Sequence, residues 1–229
     1  AISGSLGTVI PPSITFIIYG MITGESIGDL FLSGIIPGLI FGFMLCIMVF
    51  IKSKKNGWKG ETQRASLKEI GRLFLDTIWG LLSPVIVLGG IYSGLFTPTE
   101  AAAVAVVYSL IVGIFIYKEL RLAELKETLF STAKTTGMIL LIIMNAGIFS
   151  WVLTQQGIAA SLTEMALALT DNKYIMLVII NIVFLCAGCV MDNTSALYIL
   201  VPIIMPIAKA LDINMIQLGV ILVLNLSIG

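Results

Sequence analysis

The chain has 229 residues, of which 58% are hydrophobic and only 11% charged; it has no histidine and no net charge, and its mean hydropathy is +1.07. A soluble domain carries about 25% charged residues, so this composition excludes an ordinary water-facing fold. Apolar runs longer than the roughly 20 residues that cross a bilayer as a helix make it an all-α, multi-pass membrane protein: Ile27 to Ile51 holds one charge, Asp29, and Thr135 to Gln155 holds none.

In chain order, residues 1–22 read as a span interrupted at Gly7 to Pro12, and 27–51 as a transmembrane helix. Residues 53–70 form a polar cytoplasmic linker, and 72–117 two transmembrane helices joined by a turn at "TPTE". Residues 119–133 form an amphipathic surface helix, in which leucine and charge alternate at helical spacing. A further span covers 135–153, with Trp151 suited to the interface, and a short interfacial helix covers 157–170. Residues 174–210 form a helical pair with a polar tip at 191–195, interrupted after the tip by Pro202 and Pro206. Residues 215–229 begin a last span. The opening inside a Gly/Ser run and the stop at "NLSIG" lead us to expect a fragment of a longer protein.

Charge sets the orientation. Seven of the 13 Lys and Arg lie between Lys52 and Arg72 and four more between Lys118 and Lys134. Basic loops stay cytoplasmic, so the intervening "SGLFTPTE" turns on the outer side. There Thr97, Pro98 and Glu100 have the spacing of a capping box with proline at the first helical position, which accounts for them structurally. Cys46, Cys186 and Cys189 sit in apolar sequence, and "CAGC" lacks the βαβ context of a redox motif; packing accounts for them.

Two polar islands carry the functional interest. In "GSLGTVIPPSITF", Pro11 and Pro12 remove two backbone donors and disfavour the preceding helical turn. Carbonyls released at membrane depth survive only against protein or a wet cavity. With the hydroxyls of Ser5, Thr8 and Ser13 they form an uncharged, all-oxygen shell suited to Na⁺; a packing kink is the alternative. In "GCVMDNTSALYILVP", Asp192 is an ionisable group within apolar sequence, a functional hypothesis by default, and Asn193 or Thr194 is placed to cap a helix starting at Ser195. Tyr174 to Val190, at 17 residues, is short for a full crossing, which favours a re-entrant hairpin over a surface loop. Ser5-Leu6-Gly7 and Ser227-Ile228-Gly229 repeat a Ser-x-Gly step, as matching discontinuous helices of a duplicated transporter would.

"GTVIPPSI" with "YGMITGESIGDLFLSGIIPG", then "GLFTPTEAAAVAVVYSLIVG", then "MDNTSALYILVPIIMPIAKALDI", together resemble the large membrane subunit (DctM/SiaM-like) of tripartite ATP-independent periplasmic (TRAP) transporters. The resemblance implies the ion-transporter superfamily fold, an inverted-repeat elevator with re-entrant hairpins and discontinuous helices, in the bacterial inner membrane. It implies sodium-coupled symport of an organic acid such as a C4-dicarboxylate or sialic acid. The partners would be a small (Q, DctQ-like) membrane subunit and a periplasmic substrate-binding protein; no cofactor beyond the coupling Na⁺ and no nucleic acid is expected. It places Na⁺ at Ser5, Gly7, Thr8, Pro11, Asp192, Asn193, Thr194 and Ser195, and substrate at Pro12, Ser13 and Asn193. The family's first hairpin, and the Thr-Pro-Pro segment expected just after Gly229, are absent from this sequence. By that comparison each ion site is present by halves, and this polypeptide alone is expected not to transport. A stand-alone dicarboxylate or citrate carrier and a non-transporting structural subunit are the alternatives. A membrane enzyme, such as an intramembrane protease, would need a second carboxylate, a Ser–base pair or metal ligands; the chain has no histidine, and Asp192 has no second acid within an apolar span at comparable depth.

Overall fold

A computed structural model describes residues 2–57 and 66–229; of the expected 53–70 linker, residues 58–65 lie outside the described residues, while 53–56 and 67–70 are helical. Among the described residues every regular element is helical, as the composition requires. Six helices are long and apolar enough to cross a membrane.

The elements are α1 (Leu6–Val9), preceded by a 3₁₀ turn over Ile2–Ser5, then α2 (Ile14–Thr23), α3 (Ile27–Asn56), α4 (Leu67–Tyr92) and α5 (Pro98–Ile111), which runs on as a π-helical stretch over Val112–Ile116. These are followed by α6 (Leu122–Gln155), α7 (Ile158–Leu169), α8 (Lys173–Gly188), α9 (Asn193–Ala210) and α10 (Met215–Ile228). Two expectations change. The amphipathic helix at 119–133 and the span at 135–153 are one continuous helix, α6. The sequence passes from charged to apolar there without a proline, and a change of solvent along a helix does not require a break in its backbone. Pro202 and Pro206 also lie inside an unbroken α9; neighbouring groups in a membrane helix re-satisfy the backbone that proline frees.

The chain divides into two compact units, residues 1–41 with 132–229 and residues 42–131. In the second, α4 and α5 form an antiparallel pair. The turn between them is closed by the capping box: Glu100 N–H donates to Thr97 Oγ1 at 3.3 Å and Thr97 N–H to Glu100 Oε2 at 2.8 Å. Tyr108 donates its hydroxyl to the Trp79 carbonyl at 2.6 Å, and Tyr117 donates to that of Asp76 at 3.0 Å. Both bonds give tyrosine hydroxyls a partner on the facing helix.

The first unit contains most of the buried side chains. Its centre is α10, which packs on α8, α2, α9 and α1 and buries Leu218, Leu222, Val223 and Leu226. Phe16, Tyr19, Leu30, Phe31, Phe184 and Leu197 close around it, all fully buried. By contrast, only 6% of the most apolar stretch of α4, and of α6, is buried inside the protein.

Candidate functional site

The first polar island is a broken helix. α1 ends at Val9, Ile10–Pro12 are non-helical, and α2 restarts at Ile14 from an extended Ser13 (φ −122°, ψ 125°). An unbroken helix would pair the Gly7 and Thr8 carbonyls with the nitrogens of Pro11 and Pro12, which carry no hydrogen. Ser13 repairs part of the loss. Its Oγ donates to the Thr8 carbonyl and accepts from Phe16 N–H at 3.4 Å, as the N-cap of α2. Ser13 and Pro11 are buried and Pro12 is exposed. The interruption is narrower than Gly7 to Pro12: Gly7 and Thr8 remain helical, because the prolines disturb the residues whose donors they replace.

Thr8 reaches out of this segment. Its hydroxyl lies 2.7 Å from the Ser5 carbonyl and 2.7 Å from the hydroxyl of Ser227, on the last turn of α10. Ser227 in turn lies 2.6 Å from the Val223 carbonyl. Four oxygens thus form a chain of three short contacts with two hydrogens to serve them. The Ser-x-Gly repeat noted in the sequence is brought together here, through Thr8, one residue beyond the first copy, and the serine of the second.

The second island is a hairpin. α8 and α9 pack against each other, joined by Cys189 to Asp192. α9 starts two residues earlier than expected. Asp192, rather than Asn193 or Thr194, is its N-cap, accepting from Ser195 N–H (3.0 Å) and Ser195 Oγ (2.6 Å). A short carboxylate outcompetes the amide and hydroxyl for this place because the charge also suits the positive end of the helix. Asn193, Thr194 and Ser195 are half-buried and Asp192 is exposed. At 16 residues α8 rises about 24 Å, short of the roughly 30 Å hydrocarbon layer.

Both islands meet the same helix. Gly188, at the end of α8, faces the backbone of Leu226 and Asn225 so closely that a methyl there would stand 3.1 Å from Leu226 Cα. Sequence reasoning missed a further link: Asn225 Nδ2 donates to Asn181 Oδ1 at 2.7 Å, tying α10 to α8. Each is a lone amide in an apolar run, and only that polarity could have drawn attention to it. The last turn of α10 therefore holds the broken helix through Ser227 and the hairpin through Asn225. Among the described residues no group of three or more His, Cys, Asp and Glu side chains could hold a metal.

The family model for the DctM component of tripartite ATP-independent periplasmic transporters matches residues 1–229. The chain belongs to the DctM family. It is 43% identical over 227 residues to the C4-dicarboxylate TRAP transporter large permease protein DctM of Pseudomonas aeruginosa, covering 99% of this chain and 53% of that protein. To the sialic acid TRAP transporter large permease protein SiaM of Vibrio cholerae it is 38% identical over 229 residues, with coverage of 100% and 53%. To the isethionate TRAP transporter permease protein DctMQ of Oleidesulfovibrio alaskensis it is 39% identical, covering 100% of this chain and 36% of that protein. The chain spans about half the length, or less, of these curated relatives. As a DctM sequence with six candidate spans, it is a multi-pass protein of the bacterial inner membrane.

Proposed function

We propose that the full-length subunit carrying this sequence is the permease of a TRAP transporter, importing an organic acid anion such as a C4-dicarboxylate or sialic acid in symport with Na⁺. The observation that carries this reading is the helix break at Ile10–Ser13, with its buried serine and its oxygen chain to α10, in the unit that also holds the polar hairpin tip. Na⁺ is bound by the carbonyls and hydroxyls of Ser5, Gly7, Thr8 and Pro11 at the break, and by Asp192, Asn193, Thr194 and Ser195 at the tip. Carbonyl and hydroxyl oxygens, with the one carboxylate of Asp192, suit a monovalent cation that must enter and leave. Pro12, Ser13 and Asn193 border the anion, whose carboxylate is favoured near the starts of α2 and α9, where helix dipoles are positive.

A small membrane subunit and a periplasmic binding protein act with it. The TRAP names of its relatives support this over a stand-alone carrier, and the fused-subunit name DctMQ fits a Q-type partner. The two broken elements support an inverted-repeat, elevator-type mechanism. The test is uptake into proteoliposomes holding the full-length subunit and its small partner, with the binding protein added outside. Accumulation of a C4-dicarboxylate or sialic acid is expected only with an inward Na⁺ gradient and with the binding protein. Equal uptake in choline chloride overturns the sodium coupling, and uptake without the binding protein favours the stand-alone carrier.

A further inference from the structure

Three helices of the first unit border an apolar groove of about 300 Å³. α9 forms its floor, and α7 and α8 each pack against α9 as its walls. Every helix contributes the residues at i, i+3, i+4 and i+7, beginning at Leu162, Met176 and Leu200, which is one helical stripe over two turns. All the lining side chains are aliphatic or methionine. Met176 and Ile207 are buried at the base, while Leu169 at the rim is exposed.

The dimensions decide what fills such a groove in a membrane protein. Seven residues of helix rise about 10 Å, and the volume spread over that length is a trough about 6 Å across. A helix with its side chains is about 10–12 Å in diameter and does not enter. A single side chain leaning in from a neighbouring helix occupies only part of the length. An extended hydrocarbon chain fills it from end to end.

The two ends differ in charge. Near Leu169 and Met176 the groove opens beside the turn between α7 and α8. Lys173, one turn before Met176, is exposed there and makes no ion pair among the described residues; its ammonium lies 5.6 Å from the centre of the Tyr174 ring. Lysine beside tyrosine at the end of an apolar helix is the pairing found at a membrane–water interface, and Lys173 lies outside both basic stretches that set the orientation. Asp171, also exposed, stands two residues before it. The opposite end, at Val183 and Leu200, runs into apolar sequence. A headgroup carrying both a phosphate and an ammonium matches the charged end, and its chain follows the groove toward the apolar one.

We propose that this groove binds one acyl chain of a zwitterionic phospholipid, with the phosphate at Lys173 and the ammonium at Asp171. The site is independent of the sodium-coupled reading.

The experiment is native mass spectrometry of the full-length subunit, delipidated in detergent, with dioleoyl-phosphatidylethanolamine added. One tightly held lipid is expected. Ala166→Trp, which places an indole in the trough, is expected to lose it, whereas Ala102→Trp, at an exposed position of α5, keeps it. Lys173→Gln is expected to weaken binding about three- to tenfold, the worth of one lysine at an anionic group; this exposed residue decides the matter should Ala166→Trp fail to assemble. Lysophosphatidylethanolamine, with one chain, is expected to compete, and glycerophosphoethanolamine, with none, is not. Retention unchanged in both Ala166→Trp and Lys173→Gln overturns the proposal, showing that protein covers the groove or that the lipid sits elsewhere. Equal loss in Ala102→Trp overturns it as well. Displacement by glycerophosphoethanolamine marks a phosphate site with no role for the groove, and equal retention of dioleoyl-phosphatidylglycerol, which has no ammonium, overturns the zwitterionic assignment.

Discussion

Tyr19 closes over Gly219. A methyl group on Gly219 would stand 2.5 Å from Cε1 of the Tyr19 ring, and the same tyrosine donates its hydroxyl to the Met215 carbonyl at 2.6 Å. The ring is fully buried and its hydroxyl is anchored, so it has little room to retreat. Gly219→Ala is therefore expected to destabilise the subunit by about 1–3 kcal/mol, the cost of overpacking a filled core. Thermal unfolding of the purified full-length subunit in detergent measures this; an unchanged midpoint would show that α2 and α10 separate easily.

Gly188→Ala tests the other close approach to α10. The atoms facing Gly188 are backbone: Leu226 Cα, Leu226 O and Asn225 O would lie 3.1 to 3.3 Å from a methyl group at this position, so no side chain can swing aside. The hairpin must move away from α10. Uptake is expected to fall at least severalfold at limiting Na⁺ while the subunit still assembles in the membrane, which initial rates and membrane yield together report.

Ser13→Ala removes one hydroxyl that serves two backbone groups, the Thr8 carbonyl and Phe16 N–H. Because Ser13 is 1% exposed, water does not replace it. A loss of about 1–3 kcal/mol is expected, the cost of leaving a buried polar group without a partner, again read as a fall in the unfolding midpoint. Ser13→Thr, which keeps the oxygen, is expected to lose less.

Asn193→Ala and Thr194→Ala act at the tip of the hairpin without touching the Asp192 cap of α9. Both are expected to raise half-saturating Na⁺ more than threefold while leaving membrane assembly intact. Unchanged Na⁺ dependence in both would remove the tip from the ion-binding set.

Thr97→Val removes the side-chain half of the capping box that starts α5. A cost of about 0.5–2 kcal/mol to stability is expected, with uptake kinetics within twofold, since this turn belongs to the unit at 42–131 and not to the one that holds the two polar islands. A large change in half-saturating Na⁺ would contradict that division of labour.

Much of this was legible in the sequence because the bilayer leaves few choices. A run such as Ile27 to Ile51 has no way to satisfy its backbone in hydrocarbon except as a helix. Pro11 and Pro12 break one because, being adjacent, they remove two consecutive donors, where the separate prolines of α9 remove one at a time, and Thr97, Pro98 and Glu100 cap one because their spacing alone supplies the missing partners. Local chemistry fixes each of these. It did not fix whether the charged stretch at 119–133 stands apart from the span after it, since helix continuity there depends on the absence of a breaker and not on polarity. Nor did it fix which residue caps α9, where Asp192, Asn193 and Thr194 all compete for one place.

The amino-acid sequence by itself determined that this is a helical membrane protein of the DctM kind, with two polar interruptions at known positions, because hydrophobic length, missing proline donors and capping residues all act within a few residues of one another. Only the tertiary structure decided that both interruptions are held by one turn of α10. Thr8 and Ser227 are 219 residues apart, and Asn181 and Asn225 are 44 apart. A lone hydroxyl or amide in an apolar run carries no periodic signal of its partner, and which one it finds is settled by how the helices pack.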